Sequence, residues 1–250
     1  MTNEPTPAER YYDEARHRAA ALLQPLRTAK PAGVQEGGNP LRVILANALP
    51  PQYGVSSGTV ISSSRKLKPI LVSDALIHDQ ARNSPLFQGV GDDLFPIETV
   101  LAAASRIRLL DDHHLGDLVA RIAPLRQMAA RGKFFQSYDA ITKPNGKVIA
   151  SLRERRSDEP PRTYIVADSL GWEKPDPAAK AIKDALQKLD DGHLDGLLVL
   201  DRDWFFHQPD NKHRIEVATT DGIIRFLQKM VADLSVADIA PVSLARYAPE

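Results

Sequence analysis

Asp74 stands inside Ile70-Leu-Val-Ser-Asp-Ala-Leu-Ile-His78, a run in which nearly every other residue is apolar. A carboxylate in such a run has to be hydrogen-bonded, paired with a cation or bound to a metal, because leaving its charge bare in an apolar setting is too costly. Asp74 is therefore the candidate catalytic position, set against the plain alternative of a buried aspartate bonded to backbone. Just before it, Arg65, Lys66 and Lys68 form a small basic cluster suited to meeting phosphate, and so a candidate nucleic-acid contact. Asp201-x-Asp203 with His207 is a second grouping of ligand types, although aspartates at turns usually serve the turn. His113-His114 follow Asp111-Asp112, but adjacent helical side chains diverge by about 100° and rarely share an ion, which reads as a helix start with exposed histidines. Gly37-Gly38 is too short for a phosphate loop. Ser56, Ser57 and Ser62 to Ser64 lie near no nucleophile elbow. Trp204-Phe-Phe206 reads as core and not as a base-stacking platform.

Composition limits what those residues can be doing. The 250 residues are 43% hydrophobic and 26% charged, ordinary for a soluble globular chain that buries a sizeable core. The 32 basic and 32 acidic residues cancel, so any nucleic-acid contact rests on a local patch and not on an overall field. Cysteine is absent, which removes disulfides, thiolate catalysis and cysteine-based zinc sites. No apolar run approaches the ~20 residues of a membrane span, and the first residues lack the order of a signal peptide, so the cytoplasm is the expected compartment. No cofactor and no metal is assigned from sequence.

The elements that must position these side chains alternate in type. Residues 9–27 carry apolar and small positions at helical spacing, and a break rich in Gly and Pro leads to a second helix through Leu41, Ile44, Leu45 and Ala48. Residues 53–62 are rich in β-branched types and read as a strand; 70–78 reads as a strand buried on both faces. Residues 97–108 are ambiguous: Ile97, Val100, Leu101 and Ala104 match a helical period, and three successive alanines favour helix. Asp111 or Asp112 caps a helix with Leu115, Leu118, Val119, Ile122 and Leu125 inward. After a Pro144-Asn-Gly146 turn signal, the charged Arg153 to Pro161 stretch reads as an exposed loop. A strand follows at 163–168, then a helix opened by Asp176-Pro177, then strands between 194 and 206 across a turn at Asp201 to Asp203. A last helix begins at Thr220, with Ile223, Ile224, Leu227 and Val231 inward. Strands alternating with helices make an α/β fold.

This order resembles a bacterial family of uncharacterised domains with the restriction-endonuclease-like PD-(D/E)XK fold. The residues that carry the resemblance are a helix ending in Leu49-Pro50, the Gly54-Val-Ser-Ser-Gly-Thr-Val-Ile61 strand, Asp74-Ala-Leu-Ile-His-Asp79 and Phe95-Pro-Ile-Glu-Thr-Val-Leu-Ala-Ala103. It implies a mixed sheet flanked by helices, with central strands near 55–62, 70–78, 97–107 and 164–167. It is also what favours strand over helix at 97–108. The implied organisation is a tail and helix over 1–33, the α/β domain over 34–236 and a tail over 237–250.

In that family an Asp on one strand and a Glu-x-Lys on the next hold a divalent cation and a water. The family Asp falls on Asp74; the Glu and Lys fall on Ser105 and Ile107. An acidic residue of the first helix would fall near Gly38, with Glu36 the closest carboxylate. Arg106 and Arg108 alternate away from the Ser105 and Ile107 face. Glu98 lies seven residues before Ser105 on the expected strand, roughly 23 Å away, far beyond coordination reach. The resemblance thus implies a nuclease-like protein with a degenerate metal site, non-catalytic, binding nucleic acid or a protein partner in a nucleic-acid or defence-related process. The alternatives are an active metal-dependent nuclease rebuilt from Asp74, Glu36 and the Asp201/Asp203 turn, and a structural or oligomerising module.

Overall fold

The computed structural model of the chain describes residues 39–62, 67–80, 93–132, 134–142, 148–156, 160–187, 193–209 and 214–237, with seven helical positions between 13 and 25. Helix α1 (Pro40–Ala48) starts where the sequence supplies both parts of a helix entry. Asn39 is extended and its Oδ1 accepts the Leu41 N–H at 2.9 Å, while Pro40 occupies the first turn, where a missing N–H costs nothing. It buries Leu41, Ile44 and Leu45 and stops at an extended Leu49, the residue before a proline.

Strands β1 (Tyr53–Ile61), β2 (Ile70–Asp79) and β3 (Leu94–Pro96) follow, then a single 3-10 turn (Ile97–Thr99) and β4 (Val100–Leu110). The ambiguity at 97–108 thus resolves into a turn and a long strand. Ala102, Ala103 and Ala104 are all buried in β4, between β2 on one side and β7 on the other. Packing in the middle of a sheet overrides their helix propensity.

Helix α2 (Leu115–Gly132) leads to a hairpin of β5 (Phe134–Thr142) and β6 (Val148–Arg156), then β7 (Arg162–Leu170), α3 (Pro175–Leu186), β8 (Gly196–Val199), β9 (Trp204–His207), β10 (Glu216–Ala218) and α4 (Gly222–Val236). Eight strands form one sheet in the order β10-β9-β8-β7-β4-β2-β1-β3, and β5 pairs with β6 in a separate two-stranded sheet. The β4–β7 and β7–β8 pairs are parallel and the β2–β4 pair is antiparallel, so the sheet is mixed. The segments around Asp74 and Ser105 do lie side by side in it, on β2 and β4.

Helices cover both faces. One core gathers α1 and α4 residues (Leu41, Ile44, Leu45, Phe226, Met230) over Ala102, Ala104, Tyr164 and Val166. The opposite face packs α2 and α3 (Leu118, Ile122, Ile182, Leu186) over Ile107, Ile165 and Ala167. Leu125 and Met128 of α2 extend that layer over Leu76 and Ala103. Each such side chain contributes roughly 1.5–3 kcal/mol relative to exposure, so the sheet is clamped from both sides.

Three expectations need correction. The charged stretch after Arg153 is not all loop, since β6 continues through Arg156 and pairs residue by residue with β5. The inward line of α4 is Ile223, Phe226, Met230 and Leu234, with Ile224, Leu227 and Val231 only partly buried; the large side chains at 226 and 230 set the rotation. Strand β2 is not buried on both faces along its whole length, because Leu71 is exposed near its start.

Candidate functional site

The position of Asp74 follows from an irregularity in β2. Ser56 pairs with Leu76 and Gly58 with Val72, so Ser73, Asp74 and Ala75 all face the single residue Ser57. A bulge of this kind re-aims a side chain and ends regular pairing. On the other side, the β2–β4 ladder reaches Ala75 opposite Ala104, next to Asp74. Where that ladder stops, the Asp74 carboxylate takes over as acceptor: its Oδ2 receives the Arg106 backbone N–H at 3.0 Å.

Two side chains complete its surroundings. Asn39 Nδ2 donates to Asp74 Oδ1 at 3.0 Å, and Arg121 Nη1 donates to Oδ2 at 2.9 Å. The carboxylate is therefore reached from both helix layers, by the cap of α1 and by the middle of α2. Asp74 is mostly covered, its side chain 18% exposed, whereas Arg121 is 39% exposed and reaches it from solvent.

Alternation along β4 sorts the neighbours. Ala103 and Ile107 pack on the α2 side, and Ser105 shares their parity; Ala102 and Ala104 pack on the α1 side, and Arg106 shares theirs. The Arg106 guanidinium binds Asp168 of β7 through both carboxylate oxygens, Nε to Oδ1 at 2.7 Å and Nη2 to Oδ2 at 3.0 Å. The third arginine of the region, Arg42 in the first turn of α1, donates from Nη1 to Ser57 Oγ at 2.6 Å, on the residue that faces the bulge. Arg106 and Arg121 are thus matched by carboxylates, while Arg42 rests on a neutral hydroxyl.

The other sequence candidates fall elsewhere. Lys68 is exposed, just ahead of β2; Arg65, Lys66, Glu36 and Gly38 lie outside the described residues. Glu98 is buried in the 3-10 turn before β4. Asp203 does structural work, its Oδ1 accepting the Ile223 N–H at the start of α4. His207 stacks on Phe205 with centroids 5.1 Å apart. Burial is the main reason its pKa is lowered, with Lys229 adding to it against the opposing charge of Glu216. Asp111 accepts the N–H groups of His113 and His114 and pairs with the His114 ring. That ring contact is the leading cause of its lowered pKa. Among the described residues no three His, Cys, Asp or Glu side chains are grouped so as to hold a metal ion.

Sequence reasoning missed Asn39 and Arg121. Asn39-Pro40 is a legible helix entry, and it adjoins Gly38, where the resemblance places an acidic side chain. For Arg121 there was no comparable signal, because an arginine on an amphipathic helix looks like any solvated one. The sequence also gave no warning of a buried ion cluster at the other end of α2: Asp195, fully buried ahead of β8, accepts from Arg126, Arg162 and Thr163. Burial alone would raise its pKa, yet the Arg126 charge, the Thr163 N–H, His193 and Arg162 outweigh that and leave it lowered.

No family model matches the chain, and no curated protein matches its sequence. Among solved structures, NucC of P. aeruginosa in its cAAA-bound form aligns with a TM-score of 0.67 at 16% identity, over 98% of both chains. NucC of E. coli aligns in its cAAA-bound form with a TM-score of 0.69, over 99% of this chain and 98% of that one, again at 16% identity. Its apo form gives 0.68 at 16% identity, over 97% and 98%. The chain therefore has the restriction-endonuclease-like mixed α/β fold, shared with NucC along nearly its whole length.

Proposed function

We propose that this is a nuclease-like protein of a nucleic-acid or defence-related process that engages nucleic acid without the two-strand metal chemistry of its fold. The observation that carries the reading is what surrounds Asp74 among the described residues: an amide, a backbone N–H and a guanidinium, all donors, with no second carboxylate among them. A magnesium ion requires oxygen ligands at about 2.0–2.1 Å and typically keeps several waters beside one or two carboxylates. Here the neighbouring strand offers Ser105 and Ile107, and Arg121 lies 2.9 Å from the carboxylate a cation would need. These residues do not fit the ion, and no hydrolytic step is derived through it.

The test is cleavage of supercoiled and linear duplex DNA with Mg²⁺ or Mn²⁺, by the wild type and Asp74→Ala. Both are assayed with and without cAAA, since two of the NucC structures hold it and an unliganded resting state could imitate a lost site. The expected result is no metal-dependent cleavage by either protein, together with salt-sensitive binding of the same DNA by the wild type. Cleavage that requires the metal and vanishes in Asp74→Ala would overturn the reading.

A further inference from the structure

We propose that His207 is an acid-sensitive latch on strand β10: protonation of its ring releases the three-residue edge strand and opens the edge of β9 to pairing. Strands β9 and β10 close the end of the sheet opposite to β1 and β3, and the nucleic-acid reading makes no use of them.

Strand β10 is the last of the eight, and it pairs antiparallel with β9, Glu216 facing His207 and Ala218 facing Phe205. Alternation along β9 puts the rings of Phe205 and His207 on the same face, where they stack with their planes 1° apart. The His207 side chain is mostly covered, 23% exposed, and its two nitrogens differ in surroundings. Nε2 lies 4.0 Å from Glu216 Oε2. Nδ1 is buried and, among the described residues, has no hydrogen-bond partner.

A neutral imidazole carries one N–H and one lone pair, so Nδ1 can stay unprotonated while the N–H sits on Nε2 and faces the Glu216 carboxylate. Protonation puts a second N–H on Nδ1, a buried donor with nothing to receive it, and adds a charge to a covered ring. The two carboxylates that act on the ring are already engaged. Asp233 of α4 accepts from the Tyr164 hydroxyl at 2.6 Å and from Lys229 Nζ at 2.5 Å, and Glu216 accepts from Arg214 at 3.1 Å. Lys229 and Arg225 of α4 oppose an imidazolium, and β8 contains no titratable side chain. Burial, joined by these two cations, outweighs the pull of Glu216 and Asp233, in keeping with the lowered pKa of His207.

The element that yields is the weaker of the two strands. Strand β9 is held on its far side: it pairs with β8, Phe205 and Phe206 are buried, and the Gln208 N–H beside His207 donates to the Leu194 carbonyl at 2.9 Å. Strand β10 has three half-buried residues and one paired neighbour. Relief of the buried charge therefore comes on the β10 side, where the ring turns toward solvent and the ladder opposite it parts. The freed row of N–H and C=O groups on β9 is a template for an added strand.

The experiment follows the full chain by NMR from about pH 8 to about pH 5, reading the His207 ring titration together with amide exchange corrected for its intrinsic pH dependence. The open form titrates near ~6.5 and the latched form below it, so the latch holds fully above ~6.5 and is lost as pH falls through the latched value. Protection of the amides of residues 216–218 should fall about tenfold for each pH unit in that window, while protection of Leu198 in β8 changes by less than about twofold. His207→Phe keeps a stacking ring without the titration and should hold the protection of β10 flat across the range. His207→Gln, which also cannot titrate, takes its place if the first variant does not fold. Acid loss of β10 protection that persists in a folded variant would overturn the latch, as would wild-type protection that does not change with pH. A His207 ring that titrates at or above ~6.5 would overturn it too. Simultaneous loss of protection at β10 and Leu198 would mean that acid unfolds the whole sheet and not its edge, and the latch would fall with it.

Discussion

Asp74 and Asp195 show how one residue type comes to serve two ends. Both are carboxylates met by arginines from α2, but Asp74 meets the half-exposed Arg121, whereas Asp195 is fully buried with Arg126. A buried pair broken on one side leaves an uncompensated charge, which typically costs about 3–5 kcal/mol. Asp195→Asn should destabilise the protein on that scale at neutral pH, read from urea unfolding midpoints. The pH dependence follows from the lowered pKa of Asp195, for which Arg126 is the main cause working against burial. A carboxyl whose folded pKa is below its unfolded value, near ~3.9, contributes its full stabilisation above that value and loses it as pH falls through the folded one. The gap between wild type and Asp195→Asn should therefore be constant from neutral pH to about 5 and close as the pH drops below about 4. A gap that persists unchanged at the acid end would show that the charge is not what Asp195 contributes. Of these residues the sequence made only Asp74 legible, because a carboxylate interrupting an apolar run is conspicuous. Asp195 precedes Gly196-Leu-Leu-Val199 and looks like an ordinary turn residue until the partners of α2 are known.

At the scale of elements, legibility depended on whether one period was dominant. Strands β1 and β7 and helices α1 and α3 were evident from β-branched content, caps and prolines. Residues 97–108 were not, because alanine fits both periods and only the pairing with β2 and β7 decides between them. The short β3 and β10 gave no periodic signal at all, being three residues each. Strand β3 nonetheless matters, since its parallel pairing with β1 finishes the sheet edge just ahead of the turn into β4. Gly58 makes that pairing possible: a Cβ there would lie 2.4 Å from the Asp93 carbonyl oxygen and 2.7 Å from the Phe95 ring. Backbone at that distance cannot rotate aside, so Gly58→Ala has to push β3 off β1 or strain the bulge. Overpacking of this kind costs about 1–3 kcal/mol. The expected outcome is a lower unfolding midpoint together with faster amide exchange at Phe95. Unchanged exchange in a folded Gly58→Ala protein would mean that β3 is not fixed by this contact.

The molecule as a whole consists of a two-faced sheet and a hairpin that does not join it. Strands β5 and β6 pair through nine residue positions with each other, and their ladder is separate from that of the eight-stranded sheet. A two-stranded sheet alone is marginal in water, whereas the larger sheet is clamped by helices on both sides. The hairpin is therefore expected to be dispensable for folding, and geometry permits the test. Arg126 of α2 lies against Thr163 at the start of β7, with Nε 3.4 Å from the hydroxyl. At 1.5 Å per residue the helix carries the chain only about 9 Å further to Gly132 before the hairpin departs. A flexible linker of about eight Gly and Ser residues reaches roughly 15 Å on average and can return the chain to β7. Replacing residues 133–160 with such a linker should leave a cooperative unfolding transition and the far-ultraviolet signature of the mixed sheet, with the midpoint lowered by only a few degrees. Loss of cooperative unfolding would show that the hairpin belongs to the folding unit, held there by side-chain contacts and not by its ladder. If instead the shortened protein folds but no longer binds DNA, the hairpin is part of the surface that the proposed nucleic-acid contact requires.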